Sequence, residues 1–411
     1  DGSAESLFVP NPEFAHIRLG SVERLRWRND RGLAAWGDLV LPPDARPGQQ
    51  FPLVVVQYHS DGFLRGGTGD EYPIQLFAAH GMAVLSLERP AFVATGQPGL
   101  RTMEDFNRAM QANWAERWSL LSSLMAGIDA VKARGIVDPD RIGITGLSDG
   151  SSTVRFALIN RPIFAAASIS NCCFDANMVM MQAGIAFADK QRAYGLPPLT
   201  RPDPDLWRPY SVAMNAGKLD RPLLMQLSDD EYIHSLEGFT ALREYGQPVE
   251  MHVFPGEHHI KWQPAHRRAA YLRNLDWFAY WLQGARDPNP AKQDQYARWD
   301  AMRSHKPQQA ANIGWRHWHR AGKDPGQPGQ VDQTLIGKGA AQQHVPQGRM
   351  MMLEYLPLEG IGRALRPPLD DRARKMGRKS PTRQRPVPSL FEPQPTGDGK
   401  TGFDHGLSEQ G

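Results

Sequence analysis

In Gly146-Leu147-Ser148-Asp149-Gly150 a serine stands between two glycines, an arrangement that can turn a hydroxyl into a nucleophile. Upstream, Asp140-Arg141-Ile142-Gly143-Ile144-Thr145 reads as a strand entering the interior. Downstream, Val154, Phe156, Ala157 and Leu158 fall at helical spacing. A strand that turns directly into a helix strains its central residue, and glycines two before and two after remove the side chains that would collide there. The serine then projects at the carboxyl end of a sheet, with the N–H groups of the helix N-terminus behind it.

Such a serine needs a base, and the chain order in sheets with this elbow is serine, acid, histidine. Of 13 histidines, two follow directly on an apolar strand pattern, in Phe254-Pro255-Gly256-Glu257-His258-His259. Hydrolases of this type commonly end that turn in Gly-x-Gly-His, which puts His258 at a glycine position and makes His259 the expected base. The acid should follow the preceding strand, where Ser228-Asp229-Asp230-Glu231 offers three carboxylates. Counting forward from Leu223-Leu224-Met225 favours Asp230. Counting backward from Ser235 favours Glu231, whose extra methylene lets it reach from a displaced position. The residues alone leave both open. The oxyanion that develops on acyl transfer needs preorganised donors. One is the backbone N–H of Asp149. The other is expected after Val54-Val55-Val56, where the hydroxyl of Tyr58 is the candidate.

The elements that must position these groups can be read from periodicity. Residues 21–41 form a hairpin pattern around Asn29-Asp30-Arg31-Gly32. Leu53-Val54-Val55-Val56 and residues 82–87 are apolar runs expected of strands covered on both faces. Residues 102–134 are helical in pattern, in two pieces. Further strands are expected at 164–170, 222–227 and 249–254, and helices at 72–80, 236–245 and 267–282. Strands alternating with helices give an α/β class chain with a mostly parallel, doubly covered sheet. With a serine elbow, that is the α/β-hydrolase fold.

Composition excludes several other classes. Hydrophobic residues make up 41% of the 411-residue chain, enough for a large core. Net charge is only +3, with the basic excess beyond about residue 303, so nothing points to nucleic acid. The cluster over residues 372–385 is interspersed with Pro and Ser and reads as a solvated tail. No apolar run is long enough to span a bilayer, and the chain opens at Asp1 without a signal-like segment, leaving its compartment unassigned. No metal is expected: Glu257-His258-His259 lacks a helical i, i+4 histidine pair, and His317 and His319 lie in an irregular region. No cofactor is expected either, since Gly66-Gly67-Thr68-Gly69 lacks the lysine and helix of a phosphate loop. The only cysteines, Cys172 and Cys173, are adjacent, so no disulfide framework is expected.

Several stretches together resemble the prolyl oligopeptidase family of serine peptidases. Asn11-Pro12 and the hairpin are similar to that family's link into its hydrolase domain. Phe51-Pro52-Leu53-Val54-Val55-Val56-Gln57-Tyr58 with Gly62-Phe63-Leu64-Arg65-Gly66-Gly67 resembles its first buried strand and oxyanion loop. Pro248-Val249-Glu250 through His259 resembles its histidine segment. The resemblance covers roughly residues 8–285 and implies that Tyr58 completes the oxyanion hole. The usual elbow of the family is Gly-x-Ser-Tyr-Gly-Gly, and this chain departs from it with Asp149 and Ser151. Gly146 through Val154, with Phe156-Ala157-Leu158-Ile159-Asn160, is more similar to the branch of lasso peptide isopeptidases, which cleave the side-chain amide closing a lasso ring. That branch implies a glutamate acid, hence Glu231 over Asp230. The resemblance implies an N-terminal β-propeller covering the active site; too little sequence precedes residue 20 to build one here, so the expectation is that it is either truncated away or lost.

The expectation is therefore a serine peptidase that opens amide or isopeptide bonds of a peptide substrate through an acyl-enzyme on Ser148. A linear-peptide oligopeptidase or a carboxylesterase would need the same triad, and a non-catalytic binding module could retain the fold. Residues 1–20 are expected to be the remnant of the propeller link, 21–285 the catalytic domain, and 303–411 a low-complexity tail, disordered or non-native. Only residues 350–365 there have a helical pattern. If the domain closes with the helix ending near Leu282, a chain cut at residue 290 should melt within a few degrees of the full chain.

Overall fold

The computed structural model describes residues 12–60, 72–172, 174–181 and 184–304. Eight strands form one sheet: β1 (Val22–Arg28), β2 (Ala34–Val40), β3 (Phe51–Tyr58), β4 (Ala83–Glu88), β5 (Val137–Leu147), β6 (Ala166–Ser170), β7 (Leu223–Ser228) and β8 (Val249–Phe254). Their order across the sheet is β1-β2-β4-β3-β5-β6-β7-β8. β1 pairs antiparallel with β2, and β2 with β4. Every pairing from β4 through β8 is parallel. The carboxyl ends of the parallel strands therefore share one edge, and the loops that leave them can meet there.

The helices are α1 (Ile74–Ala79), α2 (Met103–Gln111), α3 (Ala115–Lys132), α4 (Asp149–Asn160), α5 (Met178–Met181), α6 (Gly184–Ala193), α7 (Pro204–Trp207), α8 (Val212–Asn215), α9 (Leu236–Glu244), α10 (Pro264–Phe278) and α11 (Gln293–Ser304). Side chains alternate across a strand, and here both faces are apolar. Leu53 and Val55 point into one cluster with Leu124 and Ile128 of α3, Val154 and Phe156 of α4 and Leu242 of α9. Val54 and Val56 point into the other with Phe77 of α1, Trp277 and Phe278 of α10 and Trp299 of α11. Double coverage explains why these strands read as unbroken apolar runs.

The helical pattern over 102–134 does break in two. A single turn at Ala112–Trp114, with Asn113 and Trp114 at positive φ, separates α2 from α3. Thr102 caps α2 through a reciprocal capping box with Asp105. The segment between β6 and β7, where periodicity is weak, carries four short helices, α5 to α8.

The packed chain does not stop near residue 285. In α11, Trp299 and Tyr296 are buried against Trp277 and Tyr280 of the other face. Trp299 Nε1 donates to Glu250 Oε2 at 2.6 Å. The helix buries only these two aromatics, which is why the hydrophobic pattern does not announce it. The tail expected from the sequence, from residue 305 onward and including the helical pattern at 350–365, lies outside the described residues.

Two outcomes follow from α11. Cutting the chain at residue 290 should lower its melting temperature substantially, contrary to the expectation from sequence. Trp299→Ala should cost about 3–5 kcal/mol in denaturant unfolding. Burial raises the Glu250 carboxyl, but hydrogen bonds from His252 and Arg298 outweigh it and hold it at about 2. A folded pKa below the unfolded value contributes stability that is full above the ordinary value of 4.5 and is lost as pH falls towards 2. Glu250→Gln should therefore flatten that acid limb in pH-dependent unfolding.

Candidate active site

Ser148 joins β5 to α4 at φ 57° and ψ −120°. A Cβ on Gly146 would stand 2.4 Å from the Gly150 carbonyl carbon, and one on Gly150 would stand 2.9 Å from Gln57 Cβ. Neither could be accommodated without moving backbone, so both glycines are required by contact. The Ser148 N–H donates to the carbonyls of Ser170 (3.2 Å) and Asn171 (2.9 Å). Ser151, at the position where the family usually has a second glycine, is buried and donates its hydroxyl to Gly146 O at 2.6 Å and Ser170 O at 2.8 Å. It pins both sides of the elbow.

The loops after β7 and β8 run side by side, and each of the three carboxylates has its own partner. Asp229 Oδ2 accepts from the Gly256 N–H at 2.6 Å. Asp230 Oδ2 lies 2.9 Å from His258 Nδ1. Glu231 meets His259 Nδ1 with both carboxylate oxygens, each at 2.9 Å. The two carboxylate–histidine pairs differ in shelter. The His258 and Asp230 side chains are 75% and 46% exposed, while those of His259 and Glu231 are 42% and 22% exposed. Asp230, hydrogen-bonded to His258, raises that histidine above its ordinary value. Glu257 is fully buried and accepts from the Trp262 N–H (2.8 Å) and Gln263 N–H (3.1 Å), which folds the chain sharply after His259.

Asp149 is the first residue of α4, where backbone N–H groups have no acceptor within the helix. Its carboxylate is gripped by Arg117 and lies 3.3 Å from Arg89 Nη1. Burial raises this carboxyl, but the two guanidinium charges overcome that and hold it below the usual range. Arg89 is fixed in turn by Glu116 at 2.5 Å. Tyr58 ends β3 beside the elbow: a Cβ on Gly150 would approach its ring carbon to 3.1 Å. The Tyr58 carbonyl accepts from Arg89 N–H at 2.9 Å. The oxyanion-loop glycines from Gly62 to Gly67 lie outside the described residues.

Ser148, Glu231, His259, Tyr58 and Asp149 thus all stand at the carboxyl ends of parallel strands. Asp230 and His258 are neighbours that pair with each other instead. Arg89, Arg117, Ser151, Asn171 and Glu257 also build the site. Periodicity does not reveal them: Arg89, Arg117 and Asn171 bond partners distant in sequence, and the near partners of Ser151 and Glu257 lie in turns; only the unusual Asp149 hints at the two arginines. Next to Arg117 is a cavity of about 230 Å³ walled by Trp114, Phe174, Trp207 and Tyr210. Trp114 and Tyr210 stack at 4.2 Å with a 6° interplanar angle. Cys172 is disulfide-bonded, which corrects the expectation of unbridged cysteines; Cys173 lies outside the described residues. No group of metal-binding side chains occurs among the described residues.

Comparison with known proteins agrees with this architecture. Residues 74–285 match the prolyl oligopeptidase family, peptidase S9. The chain is 46% identical over 303 residues to the lasso peptide isopeptidase AtxE2 of Asticcacaulis excentricus, covering 74% of this chain and 44% of that protein. The chain thus spans less than half the length of this relative. A solved structure of an AtxE2 variant with Astexin3-dC4 bound superposes with a TM-score of 0.69 at 46% identity, over 74% of this chain and 46% of the other. The acylaminoacyl peptidase of Pyrococcus horikoshii shares the fold, with a TM-score of 0.55 at 20% identity over 71% of this chain and 47% of that one. By sequence and by fold, the chain belongs to the prolyl oligopeptidase family of peptidases.

Proposed function

We propose that the protein is a serine peptidase that opens the isopeptide bond closing a lasso peptide ring. The observation that carries the chemistry is the pairing of His259 Nδ1 with both oxygens of Glu231, on the same sheet edge as the Ser148 elbow. A carboxylate at Nδ1 leaves Nε2 as the basic nitrogen and stabilises the imidazolium once it forms. The substrate class is supported by 46% identity to a lasso peptide isopeptidase.

In this reading His259 takes the Ser148 proton as Oγ attacks the amide carbon. The tetrahedral oxyanion is met by the Asp149 N–H and the Tyr58 hydroxyl. His259 then gives its proton to the departing amine, which leaves an ester on Ser148. Water, deprotonated by His259, cleaves that ester and returns the serine. The aromatic cavity beside Arg117 takes an apolar side chain of the peptide. Asp230 has no catalytic part, being committed to His258.

Incubation with a threaded lasso peptide should add the mass of one water without fragmenting it. Cleavage confined to linear peptides or esters would overturn the substrate assignment. Ser148→Ala should lower turnover on the order of a thousand-fold or more; more than a tenth of the activity remaining would exclude it as nucleophile. Glu231→Gln should lower kcat by several orders of magnitude, because the imidazolium loses its compensating charge. Asp230→Asn and His258→Ala should be mild, and the reverse ranking would place the triad one residue earlier.

A further inference from the structure

Asn171 follows the last residue of β6, is fully buried and sits at φ 35°. Its polar groups reach three separate loops. Its main-chain carbonyl accepts from the Ser148 N–H at 2.9 Å. Its Oδ1 accepts from the Ser228 N–H at 2.6 Å and the Ser228 hydroxyl at 3.1 Å, where β7 gives way to the acid loop. Its Nδ2 donates to the main-chain carbonyls of His258 at 3.1 Å and His259 at 2.5 Å. The partners dictate the orientation of the amide: a backbone N–H only donates and a carbonyl only accepts.

This connection supplies what the sheet lacks. β5 and β8 are not neighbours, since β6 and β7 lie between them. Three interstrand spacings put them about 14 Å apart across the sheet. No ladder hydrogen bond can therefore register the serine against the histidine. The histidine loop must reach back over β7, and it ends against a side chain rooted at the tip of β6. Asn is also well suited to the backbone there, because it tolerates positive φ better than most residues.

We propose that Asn171 is the positioning residue that sets His259 against Ser148 and Glu231, through its amide contacts to the histidine and acid loops. It touches no reacting atom and acts by placing the backbone that carries the ring. The proposal rests on the Ser148–His259–Glu231 reading above. Misplacing a catalytic group by about 1 Å can cost on the order of a hundred-fold in rate. Asn171→Asp is the sharpest probe. It has the same shape and keeps an acceptor towards Ser228, but it turns the donor towards two carbonyls into a repelling oxygen. Asn171→Ala removes both contacts.

The test compares covalent inactivation by a fluorophosphonate, steady-state kinetics on an activated peptide amide, and thermal melting for the wild type and both variants. Both variants should remain folded. Inactivation of Ser148 and kcat should each fall about a hundred-fold with KM nearly unchanged. The far-downfield proton resonance of the His259–Glu231 pair should also be lost or shifted. A purely structural side chain would lower the melting temperature and leave the kcat of the folded fraction alone. Failure of the wild type to label at Ser148 would strike the triad reading itself. Wild-type labelling with variants reacting within two-fold of it would overturn only the role of Asn171. Loss of the fold in both variants would overturn it as well, since Asn171 would then be a determinant of folding.

Discussion

Ser148 holds φ 57° and ψ −120°, a conformation in which an L-residue is strained, and it stays there because packing leaves no alternative. Gly146 and Gly150 touch across the turn, and the Ser151 hydroxyl ties the carbonyls of Gly146 and Ser170 together. The turn is held between β5, β6 and α4, whose residues next to it are buried. Relaxing the serine would require moving one of them. The apolar runs of the sheet therefore serve the site directly: their close packing makes an unfavourable backbone angle persist.

Parallel strand order imposes the second condition. It gathers the loops at one edge but separates the elements that bear Ser148 and His259 by two intervening strands. Asn171 reaches across that gap to the histidine loop, and the adjacent loops after β7 and β8 are tied to each other in pairs: Asp229 to the turn at Gly256, Asp230 to His258, Glu231 to His259. The two loops register one against the other, residue by residue. Behind Ser148 a different network operates, in which Arg89 and Arg117 fix the Asp149 carboxylate at the start of α4. This arrangement occupies the place of the tyrosine usual in the family, and it replaces an aromatic neighbour with a charged, rigid one.

Most of the parallel sheet was legible in the amino-acid sequence because double burial writes itself as continuous apolar runs, as in residues 53–56 and 249–254. The elbow was legible because its glycines answer a steric demand of the turn. Counting residues could not separate Asp230 from Glu231, because both follow β7 within one turn and each finds a histidine. The resemblance to the isopeptidase branch favours Glu231, and in the structure Glu231 pairs with His259 while Asp230 pairs with His258. Helix α11 is not legible in the sequence because two aromatics, Tyr296 and Trp299, supply its burial without periodicity. The roles of Asn171 and Glu257 depend on partners that sequence spacing does not encode, since an asparagine ending a strand and a glutamate in a loop are ordinary residues there.

The proposed acyl-enzyme on Ser148, formed by opening a ring, is tested most directly by its mass. When the amide that closes a macrolactam breaks, the departing amine remains attached to the same peptide. Acid-quenched mixtures of enzyme and a threaded lasso peptide should therefore contain an adduct equal to the enzyme plus the whole peptide, mapped to Ser148 by proteolytic digestion. An adduct lacking part of the peptide, one on another residue, or product formation with no covalent species under any quench time would contradict the account.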